Sequence, residues 1–347
     1  MPDVPASDDA LATRLRAMPK VLLHEHLDGS LRPRTLLELL RARGLPGPAD
    51  DEDALAAWFD ARAHAGSLTE YLRGFALTVA AMGTPAALER VAVEAAEDAR
   101  ADGCVLAEFR IAPLLFEAHG VAPEAAVEAL LAGLARSALP TGLILCAMRH
   151  ESPAVSERVA TLALRYRTQG VVAFDLAGAE FGHPPSDHAT ALAVVREAGL
   201  PITLHAGEAD GGERVLEAAR LGAQRIGHGV RLVDLLAGAG AAAVLDEVRE
   251  RGLHLEVCPT SNVHTGAAAA IATHPITALW RAGVSLSFHT DNTLMSQITH
   301  SSEARALLRE TPLTEADLIE MGRQAAQHTF LPEPARAQAL AALGAWR

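Results

Sequence analysis

Eight short apolar runs recur along the chain, and the stretches between them are rich in Ala, Leu, Arg and Glu; no other feature restricts the fold as much. The runs fall at 21–27, 105–111, 142–148, 171–176, 202–205, 225–227, 253–257 and 284–289. Segments such as "PAALERVAVEAAEDARADG" and "PEAAVEALLAGLARSALP" lie between them, read as helices and end in Gly or Pro. Strand alternating with helix implies parallel βαβ units. Eight such units predict an α/β fold closed as a (β/α)8 TIM barrel, with a doubly wound sheet as the rival architecture. Two stretches exceed the repeat. Residues 31–90 are too long for one crossover and read as several helices, and the last 45 or so residues are also helical in pattern. Without a linker or low-complexity segment, residues 1–347 read as one elaborated barrel domain.

A barrel is informative about function because its active site lies at the C-terminal ends of the strands. Here those ends are polar. The first run leads into "HEHLDG", the fourth into "DLAGAE", the fifth into "LHAGE", the sixth into "GHG", the seventh into "EVCPTSN" and the eighth into "HTDN". Strand residues two apart share a face, so His24 and His26 project together from the first strand. His205 offers a third nitrogen and Asp291 an oxygen. Three His and one Asp suit a borderline metal such as zinc, with one position left for water. Any one of the 15 histidines is more ordinarily a satisfied core or loop residue, but several at the strand ends of one barrel are a constellation.

Glu208 follows His205 by three residues and is placed to act as a general acid/base beside a metal-activated water, although it could equally cap the next helix. His228, between Gly227 and Gly229, has the backbone freedom to reach the same water. A bound metal makes hydroxide available near neutral pH, so the site is built for hydrolysis at an electrophilic carbon. The single lysine, Lys20, precedes the first strand. A lysine-bridged two-metal site is therefore not expected, and one metal per chain is.

Composition narrows the substrate. The formal charge of −13, from 30 basic and 43 acidic residues, argues against a nucleic-acid groove but not against a nucleoside. No apolar run is long enough for a membrane span, and the start lacks a basic then apolar signal pattern. Cys104, Cys146 and Cys258 are too scattered for a disulfide framework or zinc finger. A cytoplasmic enzyme is the expectation.

The ordered set "PKVLLHEHLDGSLRP", "DLAGAE", "LHAGE", "RIGHG", "EVCPTSN" and "HTDN" resembles the adenosine deaminase family of zinc-dependent barrel amidohydrolases. The resemblance runs from about Pro19 past Asp291. It implies zinc held by His24, His26, His205 and Asp291, with Glu208 protonating purine N1 and His228 assisting the attacking hydroxide. It also implies that the Gly178 backbone donates to purine N3 and that Asp28 holds a ribose hydroxyl. Three positions depart from the pattern. Asn292 stands where many members carry a second acid, His289 where Asn is common, and Ala179 where "AGDE" has Asp. An Asn amide can donate to purine N7 without being protonated, so Asn292 keeps purine binding in place.

The expected reaction is deamination of adenosine or 2′-deoxyadenosine to the inosine product and ammonia. The alternative is 6-amino-6-deoxyfutalosine, a larger 6-aminopurine nucleoside, with the choice set by the helices of residues 31–90. Trp58, Phe59, Tyr71 and Phe75 there either line the entrance or pack as core. Adenine is a third candidate, although Asp28 would then have no ribose to hold. A polymerase/histidinol-phosphatase-like phosphoesterase also begins with HxH but needs more metal ligands and a basic phosphate grip. A non-catalytic descendant would have lost a ligand or the acid. The other zinc base deaminases use HxE…PCxxC, and no CxxC occurs here.

Overall fold

The computed structural model describes residues 8–64 and 68–347, and for 68–73 the backbone alone. Eight parallel strands follow the eight apolar runs: β1 (Lys20–His26), β2 (Cys104–Ile111), β3 (Thr141–Met148), β4 (Val171–Ala177), β5 (Thr203–Ala206), β6 (Arg225–His228), β7 (His254–Val257) and β8 (Leu286–Phe288). They form two ladders in chain order, β1 to β4 and β5 to β8. Single parallel bridges join the ladders, Phe174 to Ile202 on one side and Glu25 to Asp291 on the other. The ring therefore closes into the expected barrel, and its two seams are thin.

The seam between β1 and β8 has a side-chain repair. The β1 ladder shifts register between Leu22 and Glu25, and the Leu23 N–H donates to His289 Nδ1 at 3.2 Å. His289 Nε2 meets Ser287 Oγ at 2.7 Å, and that hydroxyl also meets His254 Nε2 at 2.8 Å. The departure at His289 thus has a physical reason: its ring accepts a buried backbone donor that the sheet leaves unpaired.

Residues 31–90 form helices Pro33–Ala42, Glu52–Ala63 and Leu68–Ala81, followed by Pro85–Ala101. Asp51 and Thr84 cap two of them by accepting from Ala54 N and Ala87 N. Helices His300–Glu310, Glu315–His328 and Glu333–Ala345 end the chain. Between the last two, Thr329 Oγ1 and the Phe330 N–H both donate to Glu108 Oε1 inside the barrel, so this segment plugs the end opposite the polar strand termini. Lys20, the first residue of β1, lies at that same far end and donates to Leu15 O and Met18 O at 2.6 and 2.8 Å. Among the described residues, no helix is long and apolar enough to cross a membrane.

Candidate active site

Four side chains from three strand ends converge at the barrel mouth. His24, His26, His205 and Asp291 offer ligand atoms that all lie within 4.8 Å of one another. His26 Nε2 is 3.1 Å from His205 Nε2. Asp291 Oδ1 lies 3.3 Å from His24 Nε2 and 3.5 Å from His26 Nε2. Donors at about 2.0–2.2 Å from one five-coordinate zinc, which keeps a position for water, lie roughly 3–4 Å apart, so these spacings fit a single ion. His24 Nε2 is also buried and satisfied by no hydrogen bond. Leaving such a group unpaired costs about 1–3 kcal/mol, and a bound cation removes that cost.

The protonation states of His26 and His205 agree. Burial pushes the His26 imidazole well below its ordinary value, and it pushes His205 down to about 4 although Asp175 opposes it. Both rings are neutral near pH 7, as metal ligands must be. Burial works against the Asp291 carboxylate, yet His24 holds it well below the carboxylate range. The backbone is arranged for the same end. His228 and Asp291 sit at φ 63° and 60°, left-handed conformations that cost a non-glycine residue about 1–3 kcal/mol each. Gly227 is required for space: a Cβ there would lie 2.8 Å from His24 Cε1 and 3.3 Å from the His205 Cα.

Beneath the mouth is a buried ion ladder that sequence reasoning missed. Arg225 donates to Glu108 Oε2 at 2.7 Å and to Glu256 Oε1 at 2.6 Å. Arg110 donates to Glu256 Oε2 at 2.5 Å, to Asp175 Oδ2 at 2.8 Å and to Leu23 O at 2.8 Å. All five side chains are fully buried. The two upper carboxylates then grip the histidines from behind. Glu256 Oε2 is 2.8 Å from His24 Nδ1, and Asp175 Oδ2 is 3.0 Å from His205 Nδ1. Each carboxylate fixes hydrogen on Nδ1 and turns a bare Nε2 toward the mouth. Burial opposes the charge on both acids. His205 and Arg110 nevertheless hold Asp175 below its ordinary value, and Arg110 and Arg225 do so for Glu256. Three carboxylates against two guanidiniums leave net negative charge below the imidazoles, which favours a cation above them.

Glu208 and His228 face each other at the same mouth, with Glu208 Oε2 3.5 Å from His228 Nε2. Glu208 Oε1 accepts from Thr265 Oγ1 at 2.8 Å and from Asn262 Nδ2 at 3.1 Å. The loop carrying Glu208 is held by a residue with no assigned role in the sequence reading. Buried Glu180 accepts from four consecutive backbone N–H groups, Gly207 to Asp210, the last three at 2.7–3.1 Å. Ser261 Oγ donates to Asp291 Oδ2 at 2.6 Å. A sequence signal for these helpers did exist: "EVCPTSN" and "DLAGAE" place several polar side chains just beyond strands, where the barrel brings them together.

The remaining candidates lie around this centre. Asp28, in the turn after β1, is buried and its Oδ1 has no partner; burial lifts the carboxyl to about 7. Gly178 takes φ 95° just past β4, a conformation suited to glycine. Asn292 is buried, and its unpartnered Oδ1 is turned to Gly29, where a Cβ would come within 1.9 Å of it. That leaves the Nδ2 donors on the opposite branch. Nothing in the structure explains Ala179. Of the aromatic residues, Phe59 is buried core, while half-buried Phe75 meets the His26 ring edge-on at 6.3 Å. Trp58 is half-buried beneath the Arg62 guanidinium, 3.5 Å away. The Tyr71 side chain falls outside the described residues.

Fold and site together define a class, the barrel hydrolases that gather a metal-donor set and an acid at the strand ends. The adenosine deaminase family model matches residues 19–346. An adenosine deaminase of Mycobacterium tuberculosis is 42% identical over 334 residues, covering 92% of this chain and 91% of the relative. One from Mycobacterium ulcerans is 42% identical over 347 residues, covering 95% and 94%. The crystal structure of an Arabidopsis N6-mAMP deaminase superimposes with a TM-score of 0.83 at 25% identity, covering 95% of this chain and 98% of that one. The chain belongs to the adenosine deaminase family.

Proposed function

We propose that this protein hydrolyses adenosine and 2′-deoxyadenosine to the inosine nucleosides and ammonia, with one zinc ion held by His24, His26, His205 and Asp291. The observation that carries the reading is the placement of Glu208 and His228 at one barrel mouth with that donor set, in a chain so similar to curated adenosine deaminases. When bound, zinc supplies Lewis acidity that makes hydroxide available near neutral pH.

The chain's own groups account for the rest. Oε1 of Glu208 already accepts two hydrogen bonds, so the acid's proton resides on Oε2, the oxygen facing the reacting centre. From there it passes to purine N1, and C6 becomes more electrophilic. His228 steadies the oxygen that attacks C6. The hydroxyl proton of the tetrahedral carbon passes through the Glu208 carboxylate to N6, and the C6–N6 bond breaks as the C6 carbonyl forms and ammonia leaves. The proton shed when water becomes hydroxide restores the Glu208 acid. Asn292 Nδ2 donates to N7, the Gly178 N–H to N3, and the free Oδ1 of Asp28 accepts from a ribose hydroxyl. Phe75, beside His26, forms part of the wall over the purine.

Ammonia release by the zinc-loaded protein tests the assignment, with adenosine, 2′-deoxyadenosine, 6-amino-6-deoxyfutalosine and adenine compared side by side. The two adenine nucleosides are expected to show the highest kcat/KM. A tenfold preference for the futalosine compound or for adenine would overturn the substrate assignment. Two substitutions probe the site. His205→Ala is expected to lower zinc content well below one per chain in elemental analysis, and full occupancy would remove His205 from the ligand set. Asn292→Ala is expected to cost about 1–3 kcal/mol of transition-state stabilisation, read as a loss of kcat/KM. An unchanged kcat/KM would mean that Asn292 does not face N7.

A further inference from the structure

Glu208 and His228 share a neighbour, and that neighbour has its own support. Asn262, fully buried in helix Pro259–His264, spends one amide hydrogen on Glu208 Oε1 and directs the other at His228 Nδ1, 3.0 Å away. An amide could be turned the other way, and the rest of the chain of contacts decides the matter. The Ile276 backbone N–H lies 3.0 Å from His274 Nδ1. A backbone N–H can only donate, so His274 Nδ1 is bare and its hydrogen is on Nε2. Nε2 lies 3.3 Å from Asn262 Oδ1 and donates to it. The amide oxygen is thereby committed to His274, and the NH2 group must face the two active-site residues. His274 is 3% exposed, and burial lowers its imidazole to about 3, so it remains a neutral one-way relay.

We propose that Asn262 and His274 are positioning residues that hold His228 with its hydrogen on Nε2 and fix which oxygen of Glu208 is free. The direction of every bond follows from one immovable donor, the Ile276 N–H. His228 accepts at Nδ1, so its Nε2–H points back toward Glu208 and the reacting centre, where it donates to the attacking oxygen. The same amide ties down Glu208 Oε1 and leaves Oε2 to carry the proton. One side chain thus sets the polarity of two.

The inference rests on the roles given to Glu208 and His228, and its test separates from theirs. Long-range 15N correlation spectra of the histidine rings, taken on the full-length zinc-loaded protein and assigned with a His228→Gln comparison, read the tautomer without turnover. His228 is expected to show a bare, hydrogen-bonded Nδ1 and a protonated Nε2. A hydrogen on Nδ1 in the wild type overturns the proposal, whatever the substrate proves to be. Asn262→Asp keeps the shape but offers an acceptor to Nδ1. It is expected to move the hydrogen there and to lower kcat at least a hundredfold, with KM within about threefold and zinc content unchanged. Asn262→Ala, which lets water take the place of the amide, is expected to be less damaging than the isosteric Asp. A purely structural role predicts the reverse order, and that order would sink the proposal. Should the wild type deaminate no 6-aminopurine, the functional assignment fails, and the tautomer spectrum still decides the relay.

Discussion

Glu208→Gln is expected to retain the fold and the zinc while losing nearly all turnover, on the order of 10²–10⁴-fold in kcat. The two hydrogen bonds on Oε1 decide how the glutamine sits. Thr265 Oγ1 and Asn262 Nδ2 both donate there, so the amide oxygen must occupy that place and the NH2 group takes the place of Oε2. The substituted side chain can still donate a hydrogen bond to N1, so substrate binding and KM change little. What it cannot do is give up a proton, and without one C6 stays a poor electrophile. Steady-state kinetics with elemental analysis on the same sample separates these effects. A kcat within tenfold of wild type at full zinc occupancy would mean that N1 receives its proton elsewhere.

The parts of this site that could be read from the sequence are those set by local periodicity. His24 and His26 on one face of β1, and His205 at the end of β5, follow from the two-residue repeat of a strand and the habit of barrels to concentrate chemistry at strand ends. Strand positions followed from apolar runs, and the errors were at the edges. The eighth run was expected over 284–289, whereas β8 is Leu286–Phe288; beyond Phe288 the chain leaves the ladder to place His289 at the seam and Asp291 at the mouth. Non-local contacts were not legible. Glu256 interrupts an apolar strand and reads as a blemish, because its partners Arg225, Arg110 and His24 lie 31, 146 and 232 residues away. Only closure of the barrel turns isolated charges in β2, β4, β6 and β7 into a connected ladder. Asn262 was hidden for the same reason, since its meaning depends on His274, His228 and Glu208 meeting in space.

That ladder carries the second large expected effect. Arg110→Met is expected to destabilise the metal-free protein by about 3–5 kcal/mol, a large part of the 5–15 kcal/mol typical of a native domain. The substitution keeps most of the side chain's volume, so little of the loss comes from a cavity. It comes from removing a guanidinium that two buried carboxylates share. Glu256 would keep Arg225 and Thr203, but Asp175 would be left with His205 and a 3.4 Å contact from the Cys146 thiol. An unpaired Asp175 gains by taking up a proton, and a protonated Asp175 no longer fixes His205 with its Nε2 bare. Zinc affinity is therefore expected to fall together with stability, although Arg110 touches none of the four donor groups. Urea unfolding of the metal-free protein and a zinc titration of the folded protein measure the two consequences separately. Unchanged stability would show that the buried carboxylates tolerate losing this guanidinium. Lost stability with unchanged zinc affinity would show that the histidines are held by packing rather than by the charges beneath them.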